Sequence, residues 1–369
     1  MRTLEKLTIK NFKSIREQTL ALGKLNVFIG GNGAGKSNLI EVFRFLREIV
    51  NQNLAGYTGI KGGANTLLYF GRKRSPEMSF FLEFGEGDRS NAYSVKLFAT
   101  EEDGFIISNE TAYYHERNRY PSPYVHSVAS ASKESKLKSD NYISARQVVA
   151  DLDSYRVYHF HDTSDNAAVK GSGDVEDNRY LRPQAENLAA FLYWMQQKQP
   201  DYFANIRDTV RQIAPFFEEF RLAPSKLNES KIRLEWKEKG SEAYFNASSL
   251  SDGTLRFICL TTLLLQPQLP AVVLLDEPEL GLHPAAITLL ADLLTSAATR
   301  TQVIVATQSV TLVNQFEPDS VWAVDRQDNQ SVFRHLSAGQ MAEWLNNYGD
   351  LEGYGLGELW EKNVLGARP

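Results

Sequence analysis

"KLNVFIGGNGAGKSNLIEVFRFL", residues 24–46, decides the fold. Its opening, KLNVFIG, is a short continuous apolar run of the kind buried on both faces of a parallel sheet. Its close places Leu39, Val42, Phe43 and Leu46 at i, i+3, i+4 and i+7, so a helix follows. Between them, Gly30 to Ser37 satisfy G-x-x-x-x-G-K-[ST] with the strand before and the helix after that give the pattern meaning. Polyphosphate needs this arrangement. Glycines let successive backbone N–H groups turn inward as a nest, and the helix N-terminus adds partial positive charge. Lys36 can reach the β- and γ-phosphates of ATP, and the Ser37 hydroxyl can ligate Mg²⁺. Asn32, Gly33, Ala34, Gly35, Lys36, Ser37 and Asn38 are therefore candidate nucleotide contacts.

Further along, "AVVLLDEPELGLHP" (271–284) runs through apolar residues into Asp276 and Glu277. A buried parallel strand would deliver these two carboxylates to the end of the sheet that carries the phosphate loop. Asp276 would complete the Mg²⁺ shell, and Glu277 would orient and activate the attacking water. Adjacent carboxylates also end many core strands as a solvated acidic turn; the upstream loop selects the chemical reading. A second serine-and-glycine turn, "SSLSDGTLRF" (248–257), precedes an apolar helical run. Ser251 there is a good helix N-cap, and Ser251, Asp252 and Gly253 are kept as candidate nucleotide contacts on the resemblance described below. His283, ahead of Pro284, admits two readings: a residue facing the nucleotide, or part of the N-terminal region of the next helix. Gln308, after the strand "TQVIVATQS", can hydrogen-bond a γ-phosphate but cannot take up a proton at neutral pH.

The remaining chain narrows the function. A net charge of −5 over 369 residues excludes a globally basic nucleic-acid binder, so any such contact must be local. Candidates are Arg72, Lys73 and Arg74, the lysines 133, 136 and 138, and "YYHERNRYPSPY" (113–124), where Arg117 and Arg119 interleave with aromatic rings that could stack on a single strand or pack in a hairpin. The single cysteine, Cys259, lies in "FICLTTLLL" and reads as core. His159 and His161 alternate on one strand face without a third ligand, so no metal site is assigned to them. The start of the chain is charged throughout and no apolar stretch approaches the ~20 residues of a membrane span, so a cytoplasmic protein without membrane insertion is expected.

Periodicity predicts strands at 4–11, "REQTLAL" and "KLNVFIG", an irregular loop over 51–66, and an antiparallel meander over 77–116. It predicts a mobile loop at 127–142, a strand at 155–164, a polar segment at 165–180, helices between 184 and 220, and a hairpin of "KIRLEW" and "EAYFNA". The boundaries this implies are 1–65 for the first part of an ATPase domain, 66–180 for a β-rich insert, 181–228 for a helical lobe, and 229–369 for the rest of the ATPase domain.

"LSDGT" (250–254) resembles the LSGGQ-type signature of the ATP-binding-cassette superfamily, with "ELGLHP" in the place of its D-loop and Gln308 where transporters carry a switch histidine. No convincing Q-loop glutamine is found; His161 in "YHFHDTS" is near that place. The whole chain is similar to the RecF, structural-maintenance-of-chromosomes and overcoming-lysogenization-defect group, above all to stand-alone bacterial AAA-family ATPases. "LEKLTIKNFKSI", "DEPELGLHP", "SLSDGTLRFICL" and the tail "GELWEKNVLGARP" carry that likeness. The resemblance implies an α/β fold: an ABC-type P-loop head with a mixed or parallel central sheet, an antiparallel β subdomain and an inserted helical lobe. It also implies that Ser251 and Gly253 close on the ATP of a second copy, giving an ATP-dependent head-to-tail homodimer. The implied role is a switch in DNA repair or phage defence, acting on DNA or a separate effector. The alternative is the motor subunit of a membrane transporter.

Overall fold

The computed structural model describes residues 2–337, 339 and 355–364. The chain forms two compact units: Met1–Val157 with Pro270–Leu274 and Thr301–Pro369, and Tyr158–Leu269 with Leu275–Arg300. The last residues of the quoted tail, 365–369, lie outside the described residues.

The first unit holds two six-stranded sheets. One is antiparallel and contains β1 (Thr3–Phe12), β2 (Ile15–Ala21), β4 (Glu77–Glu86), β5 (Arg89–Ala99), β6 (Phe105–Glu116) and β7 (Tyr124–Ser132), in the order β2-β1-β4-β5-β6-β7. Leu4 and then Leu7, Ile9 and Phe12 of β1 are buried, and the first break in alternation, between Leu4 and Leu7, falls at a bulge between Leu4 and Lys6. The other sheet runs β17-β16-β3-β15-β14-β8, with β3 (Leu25–Ile29), β8 (Tyr155–Tyr158), β14 (Val272–Asp276), β15 (Gln302–Thr307), β16 (Val321–Gln327) and β17 (Gln330–His335). β3 is parallel to both β15 and β16, while β17 folds back as a hairpin.

Helix α1 (Lys36–Val50) buries the predicted stripe Leu39, Val42, Phe43 and Leu46, and adds Phe45, Ile49 and Val50. Phe45 packs against Phe12 and Phe80, with ring centroids 5.6 and 5.8 Å away, so α1 is fastened to the antiparallel sheet through aromatic contacts. This fixes the direction in which its N-terminus points.

The second unit is built from α5 (Leu188–Lys198), α6 (Pro200–Ile213), α7 (Asp252–Leu265) and α8 (Pro284–Ala298), with two small sheets. These are β10 (Phe217–Arg221), β12 (Glu235–Glu238) and β13 (Tyr244–Asn246), and separately β9 (Ser172–Asp174) with β11 (Lys231–Arg233). Cys259 is 2% exposed, and burial pushes its thiol up to about 12, with Arg256 opposing. Folded protein is therefore expected to release no colour with a thiol-exchange reagent at pH 8 until denaturant is added.

Several local expectations are corrected. The glycine-rich stretch 51–66 contains helices α2 (Leu54–Ile60) and α3 (Ala64–Leu67). The Glu134 carboxylate accepts the Leu54 and Ala55 N–H groups at 2.8 and 3.0 Å, so α2 is capped from far along the chain. The polar stretch 127–142 begins inside β7, an edge strand whose side chains are mostly exposed, and leads into α4 (Ile143–Asp153). The strand predicted over 155–164 stops at Tyr158. "KIRLEW" divides: β11 pairs with β9, whereas β12 pairs with β10 and β13.

Candidate functional site

In the first unit, Gly30 to Gly35 link β3 to α1 and deliver the backbone to the start of a 15-residue helix. Gly35 holds φ 118°, which L side chains rarely adopt, and a Cβ there would collide with the Ser331 side chain. Ser331 Oγ donates to the Ala34 carbonyl at 2.5 Å and lies 2.6 Å from Ser14 Oγ, to which the Asn38 amide donates at 2.7 Å. The loop is thus braced from behind by a β1–β2 turn and by β17. Lys36 is 4% exposed, and its ammonium donates to the Gly30 and Gly31 carbonyls at 2.5 and 3.1 Å. A buried cation is set inside a glycine loop at a helix N-terminus, whose first-turn N–H groups have no intrahelical acceptors. Ser37, Asn32 and Gly33 are exposed. Thr307 of β15 pairs with Ile29 of β3, so Gln308 and Gly30 leave the same end of adjacent parallel strands.

In the second unit, Ser251 caps α7, its Oγ accepting the Thr254 N–H at 3.2 Å. Asp252 in the first turn lies 3.8 Å from the ammonium of Lys170. Gly253 presses on the following loop, where a Cβ would run into the Gly281 carbonyl. Arg256, one turn on and 5% exposed, ties this turn to its surroundings. Its Nε donates to the Phe160 carbonyl at 2.9 Å, one Nη to the His161 carbonyl at 3.2 Å, and the other to the Leu280 carbonyl. Burial draws the guanidinium below its ordinary value, with Asp252 acting in the opposite sense.

The Leu280 and Gly281 loop is the one that follows Asp276 and Glu277. His161 Nε2 lies 2.6 Å from the Asp276 carbonyl; since a carbonyl only accepts, Nε2 carries the proton. The His159 and His161 rings stack with centroids 4.1 Å apart. Glu277 holds φ 43°, and its carbonyl accepts the Leu280 N–H at 3.2 Å. A non-glycine residue in that region is strained by about 1–3 kcal/mol and persists where its neighbours fix it. His283 caps α8, its Nδ1 accepting the Ala285 N–H at 3.3 Å, with Pro284 at the first helical position.

The structure therefore brings together Gly30–Ser37, Asn38 and Gln308 in one unit, and Ser251, Asp252, Gly253, Asp276, Glu277 and His283 in the other. Sequence reading missed Arg256, Lys170, Ser14 and Ser331. A lone cation in the otherwise apolar run "LRFICL" was the available signal for Arg256; the other three have none. The basic clusters are engaged locally: Arg72 donates to the Thr100 and Glu101 carbonyls, Arg74 lies over Phe70, and Arg117 pairs with Glu5 and Glu83. Among the described residues no helix is long and apolar enough to cross a membrane.

Comparison with known proteins gives a consistent picture. The family model described as "AAA domain, putative AbiEii toxin, Type IV TA system" matches residues 25–314. No curated protein sequence matches the chain. Among solved structures, an SmcHead bound to the C-winged helix domain of ScpA superposes with a TM-score of 0.60 at 15% identity, covering 92% of this chain and 99% of that one. An Smc head domain with an extended coiled coil, bound to the C-terminal domain of ScpA derived from Pyrococcus furiosus, gives 0.59 at 15% identity, covering 95% and 100%. An Smc head domain with a coiled coil and joint derived from Pyrococcus yayanosii gives 0.52 at 12%, covering 95% and 100%. At these identities the likeness establishes the fold alone, the α/β fold of an Smc head domain.

Proposed function

The chain belongs to the AAA-domain family of the AbiEii-toxin type, and from that premise we propose that it binds and hydrolyses Mg²⁺-ATP as an ATP-dependent homodimeric switch. One observation carries the nucleotide part: the buried Lys36 ammonium, held by loop carbonyls at the N-terminus of α1 in a glycine loop that Ser14 and Ser331 brace from behind. That loop fits a polyphosphate, and the exposed Ser37 hydroxyl beside it suits a hard cation that shares its shell with phosphates and water; on the chemistry of the sequence motif, Asp276 would be the carboxylate ligand. Bound Mg²⁺ would neutralise charge on the phosphates. Lys36 would orient the β- and γ-phosphates, Gln308 would hydrogen-bond the γ-phosphate, and Glu277 would accept the proton of the attacking water. Ser251 and Gly253 of a second copy would close on the same phosphate, so that hydrolysis releases the dimer. His283, whose Nδ1 caps α8, would also contact the nucleotide.

The switch would act in DNA repair or phage defence, through nucleic acid or a separate effector. The family description names a toxin–antitoxin system, which supports the defence side. Isothermal titration with a non-hydrolysable ATP analogue and Mg²⁺ tests the site. Lys36→Ala is expected to weaken binding at least about 100-fold, as loss of a charge-assisted hydrogen bond in a water-poor loop implies. Unchanged binding in that variant would remove the phosphate-loop reading.

A further inference from the structure

We propose that the second unit carries a binding site for single-stranded nucleic acid, in a basic concavity that none of the nucleotide-contacting residues lines. The concavity, of about 460 Å³, is bordered by Arg221, Lys226, Lys231 and Arg233, with Ser172 and Ser225 supplying hydroxyl groups. Glu235 is the one carboxylate on its wall. Glu235 pairs with Arg233 at 2.7 Å, and Asp174 reaches Lys231 at 3.8 Å. Arg233 is exposed, Glu235 and Lys231 are half-buried, and ion pairs open to water on one side can exchange for a phosphate partner. The four cations outnumber the two carboxylates paired with them, and a recess raises the potential of that excess above that of a flat surface, because the protein wall excludes water on one side. The net charge of −5 makes such a local excess stand out.

The recess is also pre-shaped. The Ser225 N–H donates to the Lys231 carbonyl at 2.8 Å, and the Lys231 N–H donates to the Asn228 carbonyl at 2.9 Å. The 225–231 loop is therefore closed on itself, with Lys226 and Lys231 near its two ends. A main chain already closed in this way loses less freedom when a ligand binds.

Single strands are favoured over other polyanions for two reasons. Arg221 lies over the exposed Tyr244 ring at 4.8 Å, which presents a flat guanidinium–aromatic platform suited to an unstacked base. The volume admits one nucleotide, whereas a duplex would only bridge the rim. The inference names a macromolecule for the switch proposed above and rests on that reading for its biological sense alone, because the site needs no ATP.

The test is fluorescence anisotropy with a labelled 20-nucleotide DNA strand, full-length nucleotide-free protein and a salt titration from 50 to 200 mM. Lys226→Glu with Arg233→Glu is expected to weaken binding at least about 10-fold and to flatten the salt slope by about 0.7 for each phosphate no longer neutralised. Because removing Arg233 leaves Glu235 unpaired, Arg221→Gln with Lys226→Gln serves as a second variant, expected to weaken binding about 5-fold or more. Lys198→Glu with Lys239→Glu matches the first variant in charge away from the recess and is expected to bind as wild type does. Wild-type affinity in both recess variants, an equal loss in the charge-matched control, or no binding by wild type at 50 mM salt would overturn the site. Equal affinity for a 20-base-pair duplex, or displacement by polyglutamate at matched charge, would overturn its assignment to single strands. Titrating the ATP analogue into the same proteins separates the two readings: recess variants keep analogue binding, and wild type binds the strand even if it binds no analogue.

Discussion

Glu277→Gln is expected to lower kcat for ATP hydrolysis about 10²–10⁴-fold while leaving ATP affinity within a few-fold, as removal of a general base does. Glutamine has the shape of glutamate, so it can occupy the same turn at φ 43°, closed by the Leu280 N–H on the residue 277 carbonyl. What it lacks is the ability to take a proton from water. With hydrolysis stopped and binding retained, ATP should hold two copies together. Light scattering of Glu277→Gln with saturating Mg²⁺-ATP is therefore expected to give twice the monomer mass. Adding Ser251→Arg should return the monomer mass, because the new side chain would stand where the opposing phosphate must approach. Ser251 also caps α7, so Ser251→Ala controls for the missing cap, which costs about 1 kcal/mol. A Glu277→Gln protein turning over at the wild-type rate would remove Glu277 as base. One that remains monomeric with bound ATP would remove the composite site.

The parts of the fold that were legible are those where one local signal decides the outcome. Val27, Phe28 and Ile29 are successive apolar residues because β3 lies inside the sheet with a parallel neighbour on each side, and the buried Asn26 beside them bonds the Gly23 backbone. The α1 stripe is visible because its face is wide and buried. The parts that were not legible depend on distant partners. Helix α2 is capped by Glu134, some 80 residues further on. β7 pairs through its backbone at a sheet edge, where polar side chains cost nothing and periodicity is lost. β8 ends early because Arg256 takes the Phe160 and His161 carbonyls that a continuing strand would offer to a neighbour.

The site divides in the same way. Gly30–Ser37, Asp276, Glu277 and Ser251 stand out in the sequence because the chemistry proposed for them requires particular residue types at particular spacings. Ser14 and Ser331 act by touching the back of the loop, which many small polar residues could do, so nothing in their own neighbourhoods marks them.

Arg256→Met is expected to cost about 2–4 kcal/mol of stability, read as a lower urea midpoint, and to lower kcat by about 100-fold with little change in the KM for ATP. The stability term follows from the carbonyls of Phe160, His161 and Leu280, which would all lose a charged donor; Phe160 is buried, whereas water can reach the other two segments in part. The rate term follows from connectivity. Arg256 lies on the helix that Ser251 caps, and it holds the loop that leaves Glu277 through Leu280. It also holds the segment whose His161 bonds the Asp276 carbonyl. One guanidinium thus fixes the turn capped by Ser251 against the backbone that follows Glu277. Arg256→Lys should recover less than half of the loss, because an ammonium is a point donor and cannot serve three divergent carbonyls as a planar fork does. Lower stability with an unchanged kcat would reduce Arg256 to a structural tie. Loss of both, with only partial recovery by lysine, would make it the residue that positions the base.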